Sequence, residues 1–139
     1  MDVLDTLQIS ASGLTAERTR MQTISENLAN ARTTRTQAGG PYQRKVPTFE
    51  AQALRPFADE LDAASQVVVT GIQSDGRAPV QHFDPSHPDA DARGYVLMPD
   101  INVLQEMVDL MNASRSYDAN ASALETTRDM ALRALEIGR

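Results

Sequence analysis

The stretch NVLQEMVDLMNASRSYDANASALETTRDMALRALEIG, residues 102–138, decides the fold. Along it a seam runs through Val103, Met107, Leu110, Ser114, Tyr117, Ala121, Leu124, Arg128, Ala131 and Leu135, in alternating steps of four and three. A repeat of that period sustained without a stutter predicts one long helix of the coiled-coil kind. Leu104, Val108 and Met111 widen the apolar arc in its first half. Pro99 ends whatever precedes it, Asp100 or Asn102 can cap, and Asn102 followed by Gln105 has the spacing of a capping box. Gly138 closes the pattern, so a helix over 102–137 would be about 54 Å long.

The N-terminal end carries a second long helix. Leu7, Leu14, Met21 and Leu28 recur every seventh residue; Leu4 and Ala11 precede two of them by three, and Ile24 and Ala31 broaden the stripe. Arg18 and Ser25 fill the remaining companion positions, which makes this seam imperfect. From Val3 to Ala31 there is no proline and one glycine, which predicts a helix of about 43 Å. Gly13 costs about 1 kcal/mol relative to alanine in an exposed helix interior, so it marks either a close approach beside Ala11 or a bend.

Average globular helices have three turns, and patterns beyond 25 residues indicate a coiled coil, a membrane span or a repeat. No uncharged apolar run here reaches the roughly 18 residues that a span needs. The fold class expected is therefore mainly α with a small β-rich insert: residues 1–31 and 99–139 form a discontinuous, coiled-coil-like rod domain around a middle segment, 32–98. Packing the two helices together leaves the wide arc around 103–111 facing outward. Either the middle segment folds back over it or neighbouring chains cover it.

The middle opens with a loop at 32–41 ending in Gly39-Gly40-Pro41. Tyr42–Phe49 reads as a strand interrupted or ended near Pro47, which denies a ladder hydrogen bond. Residues 50–64 fit short helical turns or an irregular strand. The surest strand is Val67–Ile72, followed across an Asp75-Gly76 hairpin turn by a weaker one at Ala78–Phe83. Pro85, Pro88 and Pro99 break the remainder, leaving Gly94–Met98 as a last short extended piece.

Composition narrows the function. The 139 residues include no cysteine, which removes disulfides, thiolate metal sites and cysteine nucleophiles together. The net charge of −6 is uneven: residues 1–45 are net basic, 46–98 and 99–139 net acidic, a distribution unsuited to wrapping nucleic acid. Asp2 and Asp5 stand where a signal peptide has its positive region, so a cleaved signal is not expected.

Chemical constellations are few. His82, Asp84, His87, Asp89 and Asp91 could supply metal donors, but prolines flank His87, and Asp89 and Tyr95 stand where a calcium loop needs Gly and Glu. A proline-stiffened surface loop is the expectation, and a Ser-His-Asp reading of the same segment lacks a nucleophile elbow. Gly39-Gly40 lacks the Gly-Lys-Ser/Thr of a phosphate loop. Arg32, Arg35, Arg44 and Lys45 are the basic cluster, a solvated face or a contact for a polar partner. Arg128 sits on the seam and can lay its methylenes across a neighbour while its charge reaches the rim. Asn27, Asn30, Asn112 and Asn120 suit lateral hydrogen bonds between packed chains. No catalytic residue, metal or cofactor is expected.

Five stretches resemble one family. Ser25–Ala31 (SENLANA) and Glu106–Asn120 (EMVDLMNASRSYDAN) resemble the terminal signatures of the bacterial flagellar basal-body rod and hook proteins. Gly40–Phe49 (GPYQRKVPTF), Asp84–Ala90 (DPSHPDA) and Gly94–Pro99 (GYVLMP) resemble its proximal-rod members. The resemblance spans nearly the whole chain; Asp100, where the family tends to have Asn, and Gln43 are small departures. It implies a structural subunit that leaves the cytoplasm through the flagellar type III export apparatus without a cleaved signal. It also implies helical stacking in the periplasm with copies of itself, other rod proteins and base components, the terminal helices lining a hollow shaft. The alternative is a non-enzymatic coiled-coil adaptor or export-associated binding protein. Seams and resemblance together put an assembly interface on Leu7, Leu14, Met21, Asn27, Leu28, Asn30, Val103, Met107, Leu110, Met111, Arg115, Tyr117, Asn120 and Leu124. Tyr42, Arg44 and Lys45 are middle-segment contacts on the same reading.

Overall fold

In a computed structural model that describes residues 3–54 and 64–137, both terminal seams are helices. α1 spans Val3–Ala29 and α2 spans Val103–Ile137. Between them lie β1 (Lys45–Ala53), β2 (Ser65–Ser74), β3 (Val80–Phe83) and β4 (Tyr95–Met98). The expectation of a mainly α chain with a small β insert holds.

α2 begins as its sequence requires. Asn102 Oδ1 accepts the Gln105 N–H at 3.2 Å, satisfying one of the orphan donors of the first turn. The Gln105 amide donates to Asp109 at 3.2 Å instead of reaching back, so half of the capping box forms. α1 ends where Asn30 donates to the Glu26 carbonyl at 2.9 Å and accepts from the Thr33 hydroxyl at 3.1 Å, turning the chain into the 30–41 loop.

The two helices run antiparallel, with Gly13 beside Asn120 at one level and Asn27 beside Glu106 at another. Burial along α2 recurs at Glu106, Leu110, Ala113, Tyr117, Asn120, Leu124, Thr127 and Ala131. Among the described elements, α1 alone packs on α2, so that row is the helix–helix seam. It shares part of the sequence-derived seam and departs from the rest. Leu110, Tyr117, Ala121, Leu124 and Ala131 of that seam are half-buried, while Val103, Met107, Ser114, Arg128 and Leu135 are exposed.

The reason is interaxial distance. Ala16 and Ala113 are buried, and Gly13 has no side chain where the Asn120 amide arrives, so the backbones approach closely. Gly13 thus marks close packing, against α2, within an unbroken helix. A Cβ there would lie 2.9 Å from Asn120 Nδ2, the movable end of a flexible side chain. Gly13→Ala should therefore be nearly neutral in thermal melts, the gain in helix propensity offsetting the displaced amide. Gly13→Leu should destabilise by about 1–3 kcal/mol by prising the helices apart.

β1 and β2 pair antiparallel from Lys45↔Ser74 to Ala53↔Ser65, and the ribbon packs along α1. Pro47 sits inside β1, tolerated because each strand of a two-stranded ribbon has a free edge. Thr70 is an extra residue where the register shifts, and its hydroxyl meets Thr48 Oγ1 at 3.0 Å. β3 and β4 form a separate antiparallel pair. The hairpin expected across Asp75-Gly76 is therefore not formed: β2 takes β1 as its partner, and Gly76, at φ 70°, turns the chain away toward β3. Of the ambiguous residues 50–64, Glu50–Ala53 complete β1; 55–63 lie outside the described residues.

Candidate functional site

Two surfaces stand out, one closed and one open. The closed one joins α1, β1 and α2. Asn27 and Glu106 are each 1% exposed. The Asn27 amide donates to the Lys45 carbonyl at 2.9 Å and to Glu106 Oε2 at 3.2 Å. Its Oδ1 accepts the Tyr42 hydroxyl at 3.0 Å and the Lys45 N–H at 2.9 Å. Arg44 completes the group, with Nε 2.7 Å and Nη2 2.6 Å from Glu106 Oε1. Arg44 Nη1 also lies 3.4 Å from Asp75, which binds Arg77 Nε at 3.1 Å. A buried carboxylate is tolerable only when paired and hydrogen-bonded, and Glu106 has both.

Electrostatics follows from this geometry. Burial opposes the Arg44 charge, but hydrogen bonds and charges from Glu106 and Asp75 outweigh it and hold its pKa above the ordinary arginine value. Lys45 is raised chiefly by its hydrogen bond to Glu26, 3.1 Å away. Burial pushes the Tyr42 phenol up, with Lys45 opposing. A raised phenol means that the folded state keeps its proton while the unfolded chain loses it. Stability from Tyr42 is therefore complete below pH of about 10 and falls as pH rises through the folded pKa. Tyr42→Phe should cost about 0.5–1.5 kcal/mol at neutral pH and flatten part of the alkaline decline, measured by urea melts from pH 7 to 11.

Sequence reasoning placed Asn27, Tyr42, Arg44 and Lys45 at contacts between chains or segments. The structure brings all four together within one chain. It adds Glu106, which the sequence reading placed at the head of the C-terminal signature without giving it a contact. The signal available was a carboxylate set between Leu104 and Met107 in the apolar start of α2, with the basic pair Arg44 and Lys45 elsewhere to answer it. Asn30 is used at the end of α1, and Asn120 faces Gly13.

The histidine-containing loop is tied down by turns. Asp84 Oδ1 accepts the Ser86 hydroxyl at 2.6 Å and the Ser86 N–H at 3.1 Å, which holds its carboxyl below the usual range. His87 Nδ1 accepts the Asp89 N–H at 3.1 Å. Asp89 anchors the loop to the 30–41 connection by accepting the Thr34 hydroxyl at 2.7 Å and pairing with Arg35. Among the described residues no group of three or more His, Cys, Asp or Glu side chains is placed to hold a metal ion.

The open surface lies on α2. Val103, Leu104, Met107, Val108 and Met111 are exposed, Leu104 by 72%, and among the described elements none of the strands packs on α2 to cover them. Arg115 is exposed one turn further on; on α1, Leu7, Leu14, Met21 and Leu28 are half-buried. The apolar residues buried among those described are Ala16, Ile24, Val96 and Ala113, all small or medium in size. Large side chains outside and small or polar ones within are the pattern of a surface suited to contact with another protein.

The comparisons agree. Residues 7–36 match the family described as Flagella basal body rod protein, and residues 92–137 match Flagellar basal body rod FlgEFG protein C-terminal. The flagellar basal-body rod protein FlgC of Bacillus subtilis (strain 168) is 40% identical, with all of both chains covered. That of Aquifex aeolicus (strain VF5) is also 40% identical, over 98% of this chain and 97% of its own. That of Salmonella typhimurium (strain LT2) is 35% identical over all of both. The chain belongs to the FlgC family of flagellar basal-body rod proteins. It is a structural subunit of the flagellar rod and not an enzyme.

Proposed function

We propose that the chain helps to build the proximal rod by polymerising through its terminal helices. Residues 1–31 and 99–139 act as one discontinuous assembly unit, and 32–98 decorate it. The observation that carries this reading is the exposed row Val103, Leu104, Met107, Val108 and Met111, beside a helix–helix seam built of small and polar residues. In water such a row is a liability; between subunits it is the contact that holds the shaft together.

On this reading the subunit reaches the periplasm through the flagellar type III export apparatus without losing a leader. There it joins copies of itself, other rod proteins and base components in a hollow shaft that transmits torque. Among the described residues no helix is long and apolar enough to cross a membrane. The test is a strain lacking the chain, complemented with a tagged copy, from which basal bodies are purified. Motility should be lost in the deletion and restored with the tagged chain inside rods. Normal rods without the chain, and the chain retained in a soluble complex, would favour an adaptor.

A further inference from the structure

α1 carries, on its outer side, a groove of about 640 Å³ lined by Arg18, Met21, Gln22, Ser25, Ala29 and their neighbours. Ser25 and Ala29 are small and exposed, so its floor lies close to the helix backbone. Beside it, Glu17 Oε2 is buried yet has no hydrogen-bond partner within the described chain; Glu17 Oε1 is 3.9 Å from Arg20. A buried acceptor left unpaired carries its desolvation cost uncompensated and calls for a donor from elsewhere.

The matching surface is on the same chain. The α2 row from Val103 to Met111 is apolar and exposed, and Arg115, also exposed and without an ion pair among the described residues, follows it by one turn. Subunits in a polar polymer point the same way, so a neighbour's α2 must run antiparallel to this α1, as α2 does within the chain. Placing Met107 against Ser25 in that direction sets Met111 near Met21 and brings Arg115 to the level of Glu17. Apolar side chains then fill the groove, and the orphaned carboxylate oxygen gains a cationic donor.

We propose that the α1 groove of one subunit receives the α2 row of a second copy of this chain, with Arg115 of that copy answering Glu17. The proposal rests on the rod-subunit reading and names the contact that the reading leaves open. Groove and row are different surfaces, so the contact is heterologous. Each added copy presents a fresh groove and a fresh row, so the contact adds further copies instead of closing as a dimer.

The chain has no cysteine, so introduced thiols report alone. Ser25→Cys and Met107→Cys, both at exposed positions, are placed singly or together in the complementing strain. Basal bodies are then treated with a short bismaleimide. The double variant should lose most of its monomer band to dimers and higher multiples; either single variant alone should give none, and the two singles co-expressed should give dimers only. Arg115→Glu should cut the cross-linked fraction several-fold, and Glu17→Arg in the same chain should restore it. Dimers from one single variant alone would make the contact isologous and overturn the proposal. So would adducts only with a different protein, or no adduct in rods that contain the chain. Failure of Glu17→Arg to restore the yield would overturn the ion pair. Absence of the chain from basal bodies would instead overturn the rod-subunit reading itself.

Discussion

Arg44→Met should unfold the chain more readily than any other single change considered for it. Glu106 is 1% exposed, and its Oε1 depends on Arg44 Nε at 2.7 Å and Nη2 at 2.6 Å. Methionine keeps much of the side-chain volume and removes the charge, leaving a buried carboxylate whose Oε2 still accepts the Asn27 amide at 3.2 Å while Oε1 has lost its arginine. Breaking a buried pair on one side typically costs about 3–5 kcal/mol. That is a large part of the 5–15 kcal/mol that keeps most domains folded. Replacing both members, Arg44→Met with Glu106→Leu, should recover most of the loss, because no charge is then stranded. Urea melts of the wild type, the single and the double variant would measure it; a single variant within about 0.5 kcal/mol of wild type would show that the pair contributes little.

Met107→Asp should do the reverse, sparing the fold and abolishing motility. Met107 is 51% exposed and lies outside the seam that packs on α1, so a carboxylate there meets water in the free subunit. In a dry contact the same carboxylate would have to lose its hydration, at a cost that association does not repay. The melting curve should match wild type within about 0.5 kcal/mol, as for surface changes in general, while basal bodies lack complete rods by electron microscopy. Leu110→Asp makes the contrast: Leu110 is half-buried on the intramolecular seam, so there the melting curve itself should fall. Normal rods containing the Met107→Asp chain would show that this row is not a buried surface.

The existence and limits of both long helices were legible, down to Asn102 as the cap of α2. Which face packs inside the chain was not. Hydrophobic periodicity reports what is dry in the final state, whoever supplies the other wall. Here the most regular apolar rows, Leu7/Leu14/Met21 and Val103/Met107/Met111, remain wholly or partly open in the single chain. The intramolecular seam is written in residues that the pattern discounts: Gly13 against Asn120, Ala113, and Asn27 against Glu106. Strand pairing failed for a related reason. Asp75-Gly76 is a sound local turn, but its carboxylate is held by Arg44 and Arg77, and a partner from before the 54–64 connection takes the edge of β2. Glu106 shows the limit most plainly, since nothing within its own helix reveals that an arginine just ahead of β1 will pair with it.

The scarcity of large buried side chains has a consequence for the lifetime of the subunit in the cell. With Ala16, Ile24, Val96 and Ala113 as the buried apolar residues among those described, little apolar contact resists a local opening of the helical pair in a solitary copy. A protease that attacks opened chains therefore meets the unincorporated copies first, while neighbours lock those already placed. On the rod-subunit reading, copies outside a rod should therefore have a shorter lifetime than copies built into one.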